Sequence, residues 1–243
     1  MGLSAGKACS SSQSRAIRSQ SLALDLRTRT AALHDRAETL LGLPDSITSR
    51  AEYADWLAHF LAFYAPLERA FDTFVGWDLL EPFSGSSLHS RRLSRDLLEL
   101  GIPDQERTGT PTLRWPALQT FAQALGARYV LEGSALGGKV ILKDLQARIG
   151  PEIAGATAFF EGSERSASSR WGVFKMAVDR YGEQHPECGE DVLTGAELTF
   201  KSLLDWFEPF VAQKKAHARP SFRNSAQSKG AEAMHPDPAG NPA

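Results

Sequence analysis

Cysteine is almost missing from this sequence: Cys9 sits in a polar stretch and Cys188 in a loop-like one. Two are too few for a disulfide framework and lack metal-ligand spacing, which fits a reducing compartment. No apolar run approaches the ~18 residues of a membrane span. Nothing near the start has the apolar centre of a secretory signal. Neither sign of charge dominates: 27 Lys and Arg stand against 29 Asp and Glu, a formal charge of −2, with a pI near 6.3. There is no basic stripe with interleaved aromatics, so composition offers no attraction to nucleic acid or an anionic membrane. Internal repeats, GxGxxG, P-loop and CxxC motifs are also lacking, and strand-like alternation is scarce. The expectation left is a cytoplasmic, mainly helical protein.

What is present is 42% apolar residues in a chain of 243, enough for one sizeable core. Residues 1–20 are rich in Ser, carry Lys7, Arg15 and Arg18, and have no acidic residue. This reads as a disordered tail, with a weaker likeness to an organelle transit peptide as the alternative. Residues 213–243, rich in Lys, Ala, Ser, Pro, Asn and Gly, read as a second disordered tail. Between them, residues 21–212 are expected to form one all-α domain of about seven or eight helices. The first runs from about Ser21 to Leu41 and stops at Gly42 and Pro44. The second opens at the capping box Ser49–Glu52, carries an aromatic stripe through Phe74, and is expected to kink at Pro66. A short helix through Leu88–Leu100 presents His89, Arg91, Arg92 and Arg95 as its solvated face. A long helix from Pro116 to about Ile149, a brief one after Pro151, another around Trp171–Tyr181, and a last from Pro186 or Glu190 to Val211 complete the pattern.

The stretch Tyr129–Lys143, YVLEGSALGGKVILK, has helical apolar spacing on both sides of Gly133, Gly137 and Gly138. Three glycines inside a helix cost about 2.5–3 kcal/mol relative to alanine, so something must offset them. Close approach of another helix would do so. So would a flat ligand lying on a bare, kinked backbone. On the first helix Arg27, His34 and Glu38, spaced by seven and four, share one face, about 10 Å and 6 Å apart along the axis. Alone, His34 reads as an ordinary half-buried histidine. Glu38 one turn on is where a carboxylate would steady a metal-ligating imidazole, although an exposed i,i+4 pair looks the same in sequence. Tyr64 reads as core or as a hydroxyl reaching a site, and Lys175 as a surface lysine or a ligand-pairing cation. A flat, dianionic, iron-bearing macrocycle would use an axial imidazole, a bare backbone wall and cations for its carboxylates, and heme fits that description.

The segments LRTRTAALHDRAE, FYAPLERAF, YVLEGSALGGKVI, AFF with WGVFK, and AELTFKSLLDWF resemble, in order and approximate spacing, the heme oxygenase family over about residues 22–211. The likeness is to its bacterial branch, whose members often serve phytochromes. The resemblance implies heme b as both cofactor and substrate, held between the first helix and the glycine-kinked one. It makes His34 the iron ligand, with Glu38 as its carboxylate neighbour. Gly133, Gly137 and Gly138 become the distal wall, and Phe200 part of the lining. Arg27 and Lys175 become propionate partners, with a further contact from Tyr129 or Arg128. The implied reaction consumes O2 and electrons from a ferredoxin, flavodoxin or reductase, and yields biliverdin, iron and carbon monoxide.

One departure matters. Many members carry an aspartate directly after the first distal glycine, where this chain has Ser134. Serine orients a water but holds no charge, which leaves the proton route open, and Tyr64 is a candidate anchor for the same water network. A heme carrier or sensor on the same fold, or an unrelated enzyme for another flat substrate, are the competing expectations.

Overall fold

A computed structural model describes residues 21–81, 89–102, 118–162 and 167–218. The expected tails at 1–20 and beyond 218, Leu88 and Pro116 lie outside these residues. Among the described residues the chain is all helical, with eight α-helices and no strand.

Helix α1 (Leu22–Leu41) starts where Ser21 Oγ accepts the Leu24 N–H, and stops where Gly42 turns left-handed at φ 56°. Asp179 accepts both Ser21 Oγ–H (2.9 Å) and the Ala23 N–H (2.8 Å), placing a carboxylate from a later helix at the positive end of α1. α2 (Arg50–Phe71) is capped by Ser49 and runs unbroken through Pro66. Only half of the expected capping box forms. Ser49 Oγ accepts the Glu52 N–H at 3.2 Å, but Glu52 turns to Thr48, accepting its N–H at 2.7 Å and its hydroxyl at 2.6 Å.

α3 (His89–Glu99) ends at Gly101, and α4 (Phe121–Ser134) and α5 (Gly138–Ile149) follow. The long helix expected up to Ile149 is therefore two helices, broken over Ala135–Gly137. The glycine stretch does more than kink. α6 (Ala158–Glu161) is one short turn, fixed by Asp96 of α3, which accepts the N–H groups of Ala158 (2.9 Å) and Phe159 (2.7 Å), and by Tyr53, whose hydroxyl donates to Ala156 O at 2.8 Å. α7 (Ala167–Gln184) and α8 (Gly189–Ala218) complete the chain. α8 passes the expected end at Val211 and continues to Ala218. Its last turns are tied to α2 by the Lys214–Asp55 ion pair. Cys188 is buried just before α8.

Packing centres on α4 against α8, with α1 across α8. The α4–α8 crossing is set by two reciprocal glycines. A Cβ on Gly126 would fall 1.9 Å from Val192 O, and one on Gly195 would fall 2.0 Å from Gln123 O. Backbone therefore touches backbone, which no other residue permits. The aromatic stripe of α2 fills the space beside α8: Trp56 stacks on Phe207 (5.8 Å), and His59 lies between Trp206 (4.6 Å) and Phe210 (4.1 Å). Trp56, Tyr53, Phe63, Phe174 and Phe207 are fully buried, each worth about 1.5–3 kcal/mol of transfer free energy. This core leaves the far side of α1 unfilled, and the cavity described next lies there.

Candidate functional site

A cavity of about 1230 Å³ opens between α1 and the α4–α5 break, with α2, α3 and α6 behind it and α7 and α8 at its sides. That exceeds the ~300–1,000 Å³ usual for small-molecule sites. α1 contributes Arg27, Thr30, His34 and Glu38 to one wall. Tyr129 and the run from Gly133 to Gly138 form the wall opposite, while Tyr64, His89, Lys175 and Phe200 complete the lining.

The three glycines differ in what surrounds them. A Cβ on Gly137 would meet nothing within 4 Å, and one on Gly133 only ordinary contact with Trp171 at 3.6 Å. Their bareness leaves open space in the cavity. A Cβ on Gly138 would lie 2.6 Å from Phe160 O, so this glycine lets α5 pack onto α6. The close-approach and open-wall readings of the glycine stretch both apply, to different residues.

On the facing wall the His34 side chain is 57% exposed and Glu38 72%. His34 Nδ1 stands 3.8 Å from Glu38 Oε1, within ion-pair range but too long for a hydrogen bond. The imidazole lies edge-on to Phe200 at 6.1 Å. Ligand atoms of His34, Asp35 and Glu38 all lie within 4.8 Å of one another, a grouping that includes Asp35, which the sequence pattern did not single out. Tyr129 sits beside Trp171 (4.9 Å). Burial pushes its hydroxyl pKa up, and the Arg27 charge pulls the other way. Lys175 is half-buried, its Nζ 5.8 Å from the Trp171 ring.

Of the paired candidates Tyr129 and Arg128, only Tyr129 lines the cavity. Arg128 is buried among other elements: its guanidinium lies 4.9 Å over Trp77, and its Nε is 3.5 Å from Glu132 Oε1. Glu132 also takes a two-pronged contact from Arg170, at 2.8 and 2.9 Å. Adjacent helical residues point about 100° apart, so one cannot follow the other to the same face. Arg128 is a structural cation here.

Behind the glycines, Tyr64 OH donates to Ser134 Oγ (3.3 Å), and Ser134 Oγ donates on to Leu131 O (2.7 Å). Burial pushes the Tyr64 hydroxyl up to about 12, against the Ser134 hydrogen bond, with the Glu68 charge adding to the rise. His89, expected on a solvated face, is instead 4% exposed and stacked on Tyr64 at 4.9 Å. Nothing in the local pattern marks it, because His89 opens its helix and its burial comes from α2 and α6. Glu68, one turn after Tyr64 on α2, is the other residue missed, and that i,i+4 spacing was the available signal.

A cradle kept open by Gly133 and Gly137, an accessible imidazole facing it, and the cations Arg27 and Lys175 at its edge form a donor set that fits a planar dianionic macrocycle with an axial ligand. The heme oxygenase family model matches residues 20–209. The chain belongs to the heme oxygenase family. No curated protein matches the sequence. Heme is the ligand class of that family, and the all-helical architecture is the family's. No described helix is long and apolar enough to cross a membrane.

Proposed function

We propose that the chain is a heme oxygenase that opens heme with O2 and externally supplied electrons to biliverdin, ferrous iron and carbon monoxide. The observation that carries this reading is the pairing, across one cavity, of the accessible His34 imidazole with backbone left bare at Gly133 and Gly137. When bound, heme supplies the iron and the oxidisable macrocycle. In this reading His34 would hold the iron through its imidazole, with Glu38, 3.8 Å from Nδ1, placed to orient the ring. Arg27 and Lys175, at the cavity edge, would pair with the propionates. Gly133 and Gly137 leave space over one face and exclude side-chain bulk from it. Phe200 packs against His34 and restricts its swing. Tyr64 and Ser134 hold a hydroxyl pair beside the glycines, able to orient water. Electrons come from a ferredoxin, flavodoxin or reductase, and a phytochrome is a candidate acceptor for the product.

Ser134 also supports a second reading, a heme carrier or sensor, because no carboxylate follows the first distal glycine. Titration with hemin followed by aerobic ascorbate or a ferredoxin system separates the two. A saturable one-to-one Soret band that decays as a broad red biliverdin absorption grows is the expected result. A band stable under reductant would establish the carrier or sensor instead. His34→Ala should lose the histidine-ligated ferric spectrum, and its survival unchanged would refute the ligand assignment.

A further inference from the structure

Where α1 begins, α7 holds it. Asp179 Oδ1 accepts both the Ser21 hydroxyl at 2.9 Å and the Ala23 N–H at 2.8 Å. The Ala23 amide belongs to the first helical turn, whose N–H groups have no partner within the helix. Farther along α7, Gly182 lets the two helices close, since a Cβ there would lie 2.9 Å from Leu22 Cβ. Across these contacts residue numbers rise on α1 as they fall on α7, the order of an antiparallel pair. The middle of α1 is held from another side, by Arg29 to Glu190 (3.3 Å) and Glu197 (3.7 Å) of α8 and by His34 against Phe200.

One turn from this clasp, on each helix, stands a cation. Arg27 follows Ala23 by four residues and Lys175 precedes Asp179 by four, so each cation shares a helix face with a clasp residue. All four residues line the cavity. Both cations border the Tyr129–Trp171 pair: Lys175 Nζ is 5.8 Å from the Trp171 ring, and the Arg27 charge reaches the Tyr129 hydroxyl. Among the described residues neither cation has an ion-pair partner, so both charges are available to a ligand. A ligand that meets both must carry two anionic groups on one edge.

We propose that Asp179 is a positioning residue of the cavity edge: by clasping the first turn of α1 to α7 it sets the span between Arg27 and Lys175, and so favours a ligand with two carboxylates on one edge. This inference rests on the heme reading and concerns the carboxylate edge of that ligand. Without the clasp the first turn of α1 is free to move from α7, and the two cations must be brought to their partners at a cost in ordering. The charge of Asp179 acts the other way, because a carboxylate at this edge repels the carboxylates of the ligand. Clasp and charge thus give opposite signs for the effect of removing Asp179.

The test is a hemin titration of the full chain, read at the Soret band, for wild type, Asp179→Asn and Asp179→Ala. Asparagine keeps the accepting Oδ1 and loses the charge, so Asp179→Asn should bind hemin at least as tightly as wild type. Asp179→Ala loses the clasp and should raise the Kd about fivefold, the worth of one partly exposed charge pair. Asp179→Ala binding as tightly as Asp179→Asn overturns the proposal and leaves Asp179 a mere charge at the edge. The same substitution in an Arg27→Ala, Lys175→Ala background should change the Kd much less, because Asp179 acts through those cations. A fivefold loss undiminished in that background also overturns the proposal, since it would arise from the fold alone. Either result leaves the heme reading intact, whereas a wild-type chain with no saturable Soret band overturns both. If Asp179→Ala fails to fold, amide hydrogen exchange of the wild-type chain decides: the Ala23 N–H should be protected without hemin, and exchange at the rate of an open first-turn amide overturns the clasp.

Discussion

A single methyl group separates the roles of two adjacent glycines. Gly137 is right-handed at φ −77° and faces open cavity, so Gly137→Ala should be neutral or raise stability by about 0.5–1 kcal/mol through the unfolded chain. Gly138→Ala drives a Cβ toward Phe160 O, 2.6 Å away, and should cost about 1–3 kcal/mol in urea denaturation. The bulky Gly137→Phe should abolish saturable hemin binding while leaving the fold intact. If Gly138→Ala were harmless, the α5–α6 contact would be looser than these positions require. The difference between the neighbours is invisible in GG as a sequence. It is decided by where Phe160 lies, and that depends on Asp96 holding α6.

At the scale of helices, α4 and α8 meet with backbone in contact at Gly126 and Gly195. Alanine at either must separate the two helices. We expect Gly126→Ala to cost about 3 kcal/mol, a fall in Tm of about 6–12 °C for a domain of this size. A change of under a degree would rule out the close crossing. The α2–α8 contact carries a pH dependence. His59 is sandwiched by Trp206 and Phe210, and it exchanges hydrogen bonds with Trp206: its Nε2 lies 3.2 Å from Trp206 O, while Trp206 Nε1 donates to His59 O at 3.2 Å. Burial pushes its pKa below the ordinary value, more than the Trp206 carbonyl raises it. The unfolded chain therefore binds a proton that the folded chain refuses. The stabilisation is fully present above the unfolded pKa of about 6.5 and is lost as pH falls through the lower folded value. Chemical denaturation between pH 7 and 5 should show wild type losing more stability than His59→Phe. Parallel pH profiles would remove His59 from the account.

Element by element, the sequence was legible where local chemistry decides. The Ser21 and Gly42 boundaries of α1, the Ser49 start of α2, and the shared face of Arg27, His34 and Glu38 all follow from capping preferences and the 3.6-residue period. It was misleading where a remote partner decides. Glu52 left its capping-box role for Thr48, α8 outran its polar composition with Lys214 reaching Asp55 on α2, and the long glycine-containing helix broke in two.

For the whole molecule, α1 is packed along one side only and the cavity occupies the other, so a ligand filling about 1230 Å³ should tie α1 to α4 and α5. Hemin at a hundredfold excess over its Kd should add about 2.7 kcal/mol and make the thermal midpoint rise with ligand concentration. A midpoint indifferent to hemin would mean that the native cavity does not bind it. The buried Arg128–Glu132–Arg170 cluster has no part in this response, since Arg128 faces Trp77 and not the cavity. By itself, the sequence determined the helical class, the ends of α1 and the start of α2, and the residue types that face the cavity, because period, caps and glycine cost act within a few residues of one another. Only the tertiary structure decided which glycine is open and which is packed, which of Arg128 and Tyr129 reaches the ligand space, and that His89 is buried behind it. Each of those depends on a helix distant in the chain arriving at an ångström-scale distance, and no local pattern encodes that arrival.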